Sequence, residues 1–407
     1  MNTTVRCFLG IFSLCCALSQ AAEPQNLLFK PIASSAEAAL QPAAPRPGPQ
    51  ILRRRFATVN FAPIAAAGPL TFNLFEDVRI TVDGTKLRKR DGIYELAERL
   101  PAKEWGQITM AATGRTLRAT IHLDHRVYEI NPVSADAVAI DEIDPARFPT
   151  MDQPVFADQA GHSPERTART TPAADEIPTV TVLVVNPNLW LPCILGQLNM
   201  QASNFQSNLD LAFSFDLQPM GRAAVTSVCV DYIPVGGDLQ ADLNWVTGNP
   251  DVAKLRSDLH ADLVTLVVPS ATGFCGRGWY NDALESDLGF SVVVASCATA
   301  NFALAHEIGH NMGMRHDRMT QQNFTDPGCN YGYCTSSFST IMAYPSSCPG
   351  TLAIGAYSTP RTELLGFITV GPLGVGCESP FIPELGYVRA DNQTTLLKAL
   401  PVVANWY

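Results

Sequence analysis

Two kinds of hydrophobic pattern divide the chain, and the first lies between about Ile51 and Val133. Apolar and polar residues alternate there in short runs, as in "DVRITVDG", where Val78, Ile80 and Val82 have polar neighbours and an Asp-Gly turn follows. Alternation with a period of two is typical of strands that bury one face. The pattern predicts a small β-rich domain over residues 51–150.

The second pattern begins at about Ile177 and consists of continuous apolar runs. Three of them, "TVTVLVVN", "ADLVTLVVPS" and "FSVVVASC", are rich in β-branched residues and are predicted to be buried strands. Helical patterning lies between the first two runs and after the third, and "ADNQTTLLKALPVVANWY" predicts a final helix. Strands mixed with helices give an α+β class for residues 177–407.

Three segments lack both patterns. Residues 1–21 have a basic start, about twelve apolar residues and small residues at the end, which predicts a secretory signal peptide too short to span a membrane. Residues 22–50 are rich in Ala and Pro and predict an extended linker. Residues 151–176 are predicted to be a second linker, with a processing site near Arg166 or Arg169.

Cysteine placement agrees with export. Residues 17–192 contain none, whereas eight cysteines lie between Cys193 and Cys377. An even set in an exported chain predicts up to four disulfides, with the pairing left open. A cysteine-free domain between a signal peptide and a disulfide-containing domain suggests a removable propeptide; the alternative is a permanent N-terminal β-domain.

The charge distribution limits the partners. The net charge is −10, and the region from Ile177 onward has 9 Lys or Arg against 18 Asp or Glu. A nucleic-acid partner would require a basic face, so this class of partner is not expected.

The stretch "HEIGHNMGMRHD", residues 306–317, contains three of the seven histidines. On a helix, Leu304, Ile308 and Met312 would form one buried stripe, and His306 and His310 would lie one turn apart on the opposite face. Two imidazoles at that spacing can bind one Zn²⁺ ion.

A third ligand is available just beyond this helix. Gly313 can end the helix in a left-handed conformation, which would turn His316 toward the same ion. Three protein ligands leave one position for water, as in catalytic zinc sites, and Glu307 can then act as general base. The other histidines, His122, His125, His162 and His260, are expected to be surface or hydrogen-bonded core residues.

H-E-x-x-H-x-x-G-x-x-H is the signature that the metzincin zinc proteases share, and the chain resembles this family. Met342, in "STIMAYP" 26 residues after His316, matches the family's methionine turn. The resemblance implies a metzincin-type catalytic domain over residues 177–407, with Met342 as the apolar floor of the site; the alternative is an ordinary core methionine.

Two residues near the site resemble different branches of the family. Asp317 is similar to the aspartate that supports the site in reprolysins (adamalysins), and the strand-to-helix entry resembles secreted bacterial reprolysin-like proteases, including peptidyl-Asp metalloendopeptidases. Tyr344 instead resembles the astacin and serralysin tyrosine that ligates zinc at rest and stabilises the oxyanion. Plain packing of Tyr344 is the alternative.

The resemblance also implies a substrate cleft and a latent precursor. Residues 272–280 and 289–296 are the expected rim, Cys275 and Cys297 are candidates for pairing, and Trp279, Tyr280 and Phe290 either line subsites or pack in the core. Since no propeptide cysteine is available to block the metal, Asp152, Asp158 or His162 is the candidate for that role.

The sequence therefore predicts a secreted zinc endopeptidase with one Zn²⁺, protein or peptide substrates and its own propeptide as inhibitor. A non-catalytic zinc-containing binding or adhesion module and a zinc hydrolase acting on other bonds are the alternatives. Retention of Glu307 favours catalysis. Calcium is left open because no D-x-D-x-D-G loop is present.

Overall fold

The computed structural model describes residues 26–41, 47–100, 106–156, 176–194, 196–215, 218–322, 326–344, 347–360, 363–364, 368–369 and 390–407. Several predictions concern residues outside these ranges: the signal peptide, the processing site near Arg166 and Arg169, the latency candidates Asp158 and His162, and any disulfide of Cys377. They remain predictions.

The N-terminal domain is built on one antiparallel sheet, in the order β1-β2-β10-β9-β8-β7-β6-β5, with β3 and β4 as a separate hairpin. The alternating pattern forms strands, as predicted. They are β1 Phe29–Pro31, β2 Ile51–Val59, β3 Leu70–Phe75, β4 Val78–Val82, β5 Arg88–Arg90, β6 Ile93–Arg99, β7 Gly106–Ala112, β8 Leu117–Leu123, β9 Arg126–Pro132 and β10 Ala137–Ile143.

Part of the interval predicted to be an extended linker is folded. β1 pairs with β2, helix α1 spans Ser34–Leu40, and the Leu28 and Phe29 side chains are buried in the core of this domain. Two large apolar side chains next to the Ala/Pro-rich run provide the driving force for this packing. A short helix, α2, spans Ala62–Ala66.

The C-terminal part has a five-stranded sheet in the order β14-β11-β15-β17-β16. Its strands are β11 Thr179–Pro187, β14 Arg222–Val230, β15 Leu263–Val268, β16 Gly276–Gly278 and β17 Phe290–Val294. All neighbours pair in parallel except β16, which is the antiparallel edge strand. The three predicted buried strands are β11, β15 and β17, and the α+β prediction is confirmed as far as mixed helix and strand content.

Helices surround this sheet: α3 Leu191–Ile194, α4 Leu198–Ala212, α5 Leu239–Gly248, α6 Pro250–Asp258, α7 Ala303–Asn311, α8 Arg318–Gln321 and the predicted final helix α9 Asn392–Val403. Short paired strands complete it: β12 Ser214–Phe215 with β13 Gln218–Pro219, β18 Phe338–Ser339 with β19 Leu352–Ala353, and β20 Glu363–Leu364 with β21 Ile368–Thr369. Within the described ranges, no helix is long and apolar enough to cross a membrane.

The N-terminal domain packs on the loop that leads into α7. The hydroxyls of Thr120 and Thr299 are 2.8 Å apart, and His122 Nε2 lies 3.1 Å from the Ala300 carbonyl oxygen. The His122 ring stacks on Phe302 with 4.2 Å between ring centroids. One face of the N-terminal sheet therefore touches the residues just before the histidine-bearing helix.

Disulfides connect Cys193 with Cys229, Cys275 with Cys297, and Cys334 with Cys348, and Cys329 is also disulfide-bonded. The pairing predicted for Cys275 and Cys297 is confirmed. It ties the start of edge strand β16 to the loop before α7.

Candidate metal centre

The histidine-bearing helix is α7, and it ends two residues before Gly313. Leu304, Ile308 and Met312 are fully buried, which confirms the predicted apolar stripe. Gly313 has φ +80°, a left-handed conformation that side chains rarely adopt. The chain therefore reverses at this residue, as predicted, and brings His316 back toward the helix.

The three histidines converge, as predicted. His310 Nε2 lies 2.8 Å from His316 Nε2, and His316 Nε2 lies 3.0 Å from His306 Nε2. The other ring nitrogens of His306 and His310 donate to the carbonyl oxygens of Ile341 and Met314, both at 2.8 Å. Donation from Nδ1 leaves the Nε2 lone pair for a metal ion.

These nitrogens fit one zinc ion. Nitrogen ligands at about 2.0–2.1 Å in tetrahedral geometry are about 3.3 Å apart, so a shift of a few tenths of an ångström would accommodate Zn²⁺. The three histidines form a group that can hold a metal, with ligand atoms within 4.8 Å of one another. The Nε2 atoms of His306 and His310 carry lone pairs because their Nδ1 atoms donate, and a cation shared with His316 Nε2 would satisfy all three rings.

Burial sets the protonation of these ligands. It lowers the pKa of His306 to about 4. Burial, followed by the charge of the neighbouring histidines, lowers the pKa of His310 and of His316 well below the usual value. Neutral imidazoles are the form that binds metal.

The side chain of Glu307, a residue of α7, packs against edge strand β16. A Cβ at Gly276 would lie 2.6 Å from Glu307 Oε1, which is too close for a side chain, and one at Gly278 would lie 3.1 Å from Oε2, which is a tight contact; the two glycines therefore let this carboxyl group pack against β16. Both carboxyl oxygens are buried without a hydrogen-bond partner among the described residues. Burial, and then the charge of Asp152, raises the pKa of Glu307 well above its usual value, while Arg277 opposes this shift.

Asp317 connects the third histidine to the turn that contains Met342. Its Oδ1 accepts a hydrogen bond from the Thr320 backbone N–H at 2.9 Å, which caps α8, and its Oδ2 accepts one from the Tyr344 N–H, also at 2.9 Å. One carboxylate thus holds the residues after His316 against those after Met342.

Met342 lies under the histidine helix. It is fully buried, and a Cβ at Gly309 would come within 2.6 Å of its sulfur. The turn closes with a 2.9 Å hydrogen bond from the Ala343 N–H to the Thr340 carbonyl. Gly309 therefore allows close packing of the helix on this side chain.

Residues 150–156, which we call the cleft segment, pair with edge strand β16. Cys275 N–H donates to the Thr150 carbonyl at 2.8 Å and Asp152 N–H to the Gly276 carbonyl at 3.1 Å. Val155 N–H donates to the Gly278 carbonyl at 3.0 Å, and its own carbonyl accepts from Tyr280 N–H. The segment runs parallel to β16. Residues 151–156 were predicted to be linker; they instead form backbone hydrogen bonds along the edge of the sheet.

The cleft segment also contacts Tyr344. The Tyr344 hydroxyl donates to the Asp152 carbonyl oxygen at 2.7 Å, and the Tyr344 ring lies 4.2 Å from the His316 ring, centroid to centroid. A peptide carbonyl therefore sits beside the metal-binding group, with the hydroxyl of Tyr344 directed at it.

The carboxylate of Asp152 pairs with Arg277. The sequence made Asp152 a candidate for the residue that blocks the metal, but among the described residues the metal-binding group contains only the three histidines. Asp152 Oδ2 instead lies 2.5 Å from Arg277 Nη2. The positive charge of Arg277 on the rim therefore binds this carboxylate in place of a metal ion.

Sequence reasoning placed residues 272–280 at the rim but did not single out Arg277. It is the one charged residue in "TGFCGRGWY", between two glycines, and this isolation was the available signal. Trp279 and Phe290 are core residues, and the buried Tyr280 ring packs against Phe156 of the cleft segment, 5.1 Å between centroids.

Comparisons with known proteins found metallopeptidases to which this chain is similar. Residues 197–353 match a model described as reprolysin, metallo-peptidase family M12. The chain is similar to a peptidyl-Asp metalloendopeptidase of Stenotrophomonas maltophilia, 25% identical over 317 residues that cover 73% of this chain and 70% of the relative. It is also similar to one of Xanthomonas campestris pv. campestris, 26% identical over 342 residues that cover 79% and 72%.

Among solved structures, the chain is similar to metalloproteinase-II from Bacteroides fragilis, with a TM-score of 0.38 and 13% identity over 65% of this chain and 86% of that one. The interval that matches the family model contains the histidine helix, Met342 and edge strand β16. The cleft segment and the N-terminal domain precede that interval.

Proposed function

We propose that this metzincin-like zinc endopeptidase is secreted, is made as a zymogen and uses Glu307 as its general base. The observation that carries the proposal is the convergence of three buried imidazoles beside a buried carboxyl group that meets no other polar partner among the described residues.

His306, His310 and His316 would hold the metal, which when bound supplies Lewis acidity toward the scissile carbonyl and the attacking water. Glu307 accepts the proton of that water and passes it to the amine nitrogen of the leaving group. The raised pKa of Glu307 suits a group that must both take up and release a proton.

Tyr344 is proposed to stabilise the oxyanion. Burial raises its pKa, so the hydroxyl keeps its proton and can donate it in a hydrogen bond. Its 2.7 Å contact with the Asp152 carbonyl supports this role, because that carbonyl is chemically the same group as the scissile carbonyl of a substrate. Asp317 and Met342 are proposed to keep the turn below the site in place.

The N-terminal domain is proposed to be the propeptide and the cleft segment its inhibitory part. The segment occupies the hydrogen-bonding edge of β16 and the Tyr344 hydroxyl, both of which a substrate would need. Secretion is supported by the predicted signal peptide and by disulfides, which persist in oxidising compartments. We also propose for this chain a preference for bonds next to aspartate, because its relatives are peptidyl-Asp metalloendopeptidases.

The proposed activity is tested by digestion of an unfolded protein with processed enzyme, a chelated sample and Glu307→Gln. Activity should be lost in both controls and should return to the chelated wild type when zinc is added. Gln retains the shape of Glu but cannot accept the proton. A folded, zinc-loaded wild type that cuts nothing in a broad substrate panel would indicate a non-catalytic binding module.

Latency is tested on the intact chain with a small fluorogenic peptide before and after a cut within residues 157–175. We expect peptide cleavage only after the N-terminal part has been cut and has dissociated. A full rate while that part is still bound would contradict inhibition by the cleft segment.

A further inference from the structure

We infer that Arg277 is the specificity-determining residue of the cleft: its guanidinium binds the carboxylate of an acidic substrate residue next to the scissile bond, and Asp152 occupies this position in the precursor. The inference rests on the proposed endopeptidase function. The metal-binding motif contains no residue that would select acidic substrates, and we assign this selectivity to Arg277.

Arg277 lies on the rim of the cleft. It is the middle residue of edge strand β16, between the two glycines that pack on Glu307. A peptide that pairs with β16 directs every second side chain to the face that carries Arg277. Asp152 does this while its carbonyl oxygen meets the Tyr344 hydroxyl. The residue that Arg277 contacts is therefore also the residue that lies beside the catalytic groups.

The guanidinium of Arg277 is fixed by one hydrogen bond and has another donor without a partner among the described residues. Nη1 donates to Gln240 Oε1 of α5 at 2.6 Å, which holds the planar group in place, and Nη2 lies 2.5 Å from Asp152 Oδ2. Nε is buried and has no hydrogen-bond partner among the described residues. Arginine binds carboxylates most strongly through two parallel donors, so one donor remains for a better-fitting ligand.

Asp152 meets the guanidinium through one carboxylate oxygen in this arrangement. Its Oδ2 lies 2.5 Å from Arg277 Nη2, whereas its Oδ1 accepts the Gln153 backbone N–H at 2.8 Å. A substrate carboxylate with both oxygens free would satisfy Nε and Nη2 together. Once the cleft segment leaves, the Arg277 cation at the rim loses its carboxylate partner, and neutral side chains cannot compensate its charge.

The arrangement also couples selectivity with latency. The same guanidinium that would select a substrate holds the cleft segment in the precursor, through one donor and in a strand that runs parallel to β16. Asp152 thus competes with substrate for Arg277. After processing, a substrate carboxylate that binds through both oxygens can replace it.

The test uses activated, zinc-loaded enzyme and three quenched fluorescent peptides that differ only in carrying Asp, Asn or Ala at one position. For the wild type we expect kcat/KM to be about 10²-fold higher for the Asp peptide than for the Asn peptide. In Arg277→Met this ratio should fall close to one. Arg277→Lys, which keeps the charge but not the two-donor geometry, should give an intermediate ratio.

Arg222→Met is the matched control, because this exposed arginine lies on β14 at the opposite edge of the same sheet. It should leave the Asp-to-Asn ratio unchanged. Equal rates for the Asp and Asn peptides in the wild type, or an undiminished ratio in Arg277→Met, would overturn the inference.

A binding measurement separates this inference from the proposed catalysis. Fluorescence anisotropy of the labelled Asp and Asn peptides is measured with activated protein from which zinc has been removed, so that no bond is cut. Tighter binding of the Asp peptide to wild type, but not to Arg277→Met, supports the role of Arg277 even if no peptide is hydrolysed in the activity assay. Equal affinities of the two peptides for the wild type refute it, whatever the activity assay gives.

Discussion

A methyl group added at Gly276 would collide with the side chain proposed to be the general base. The new Cβ would lie 2.6 Å from Glu307 Oε1, whereas ordinary van der Waals contact begins at about 3.4 Å. Gly276→Ala therefore requires the carboxyl group to move by about 0.8 Å, or edge strand β16 to shift by a similar distance.

The expected effect on catalysis follows from this displacement. A general base must be within about 2.6–3.2 Å of the atom whose proton it accepts, and a misplacement of about 1 Å costs on the order of 10²-fold. We expect kcat/KM of activated Gly276→Ala to fall about 10²-fold, equivalent to about 2.7 kcal/mol of transition-state stabilisation. Zinc content should be unchanged, because the three atoms nearest to the added methyl group all belong to Glu307 and none to a histidine.

Two other glycines provide the controls. Gly278→Ala would place its Cβ 3.1 Å from Glu307 Oε2, so a smaller loss is expected, and Gly248→Ala has no atom within 4 Å and should retain full activity. The assay is cleavage of a fluorogenic peptide, with zinc content and melting temperature measured for each variant. A folded, zinc-loaded Gly276→Ala whose kcat/KM stays within roughly threefold of wild type would refute the placement of Glu307.

Three further predictions concern the support of the site and the domain contact. Asp317→Ala removes three hydrogen bonds, two from Thr320 and one from Tyr344, and should lower the free energy of unfolding in urea by about 1–3 kcal/mol. Removal of the exposed helix cap in Asp238→Ala should cost about 1 kcal/mol; equal losses would contradict the link to Tyr344. Burial lowers the pKa of His122 to about 4, so its contribution to docking is complete above pH 6.5 and is lost as the pH falls toward 4. His122→Gln should therefore flatten acid-induced release of the N-terminal domain, followed by size-exclusion chromatography; an unchanged pH profile would exclude His122 as the cause. Replacement of both Cys275 and Cys297 by serine should lower the free energy of unfolding by about 2–4 kcal/mol in the absence of reductant. It should also broaden cleavage specificity, since this disulfide anchors β16. An unaltered melting temperature would contradict a stabilising role of the disulfide.

The local features of the site were predictable because they depend on short-range geometry. Four residues make about one helical turn, so the spacing of His306 and His310 places both on one face wherever a helix forms. Gly313 at φ +80° likewise follows from residue type, since few other residues adopt this conformation. The strands β11, β15 and β17 were predictable because each is a short run rich in β-branched residues.

Contacts between distant parts of the chain required the tertiary structure. Asp152 and Arg277 are far apart in sequence, and their meeting depends on the order of strands in the sheet, which leaves β16 as the free edge. Composition marked residues 151–176 as linker, since Pro and Asp disfavour regular structure. Backbone groups of an exposed edge strand pair with any extended segment within reach, irrespective of its side chains, so this composition did not prevent the pairing.

The sequence by itself determined the metal-binding chemistry: three imidazoles, one carboxyl group and the glycine that turns the chain between them lie within eleven residues. Only the tertiary structure decided which residues from other parts of the chain lie against the metal-binding group. Packing of the N-terminal sheet against the loop before α7 holds the cleft segment in place, directs the Tyr344 hydroxyl to a peptide carbonyl and pairs Asp152 with Arg277. Such choices depend on which surfaces bury one another, and that is a property of the whole folded chain rather than of any short segment.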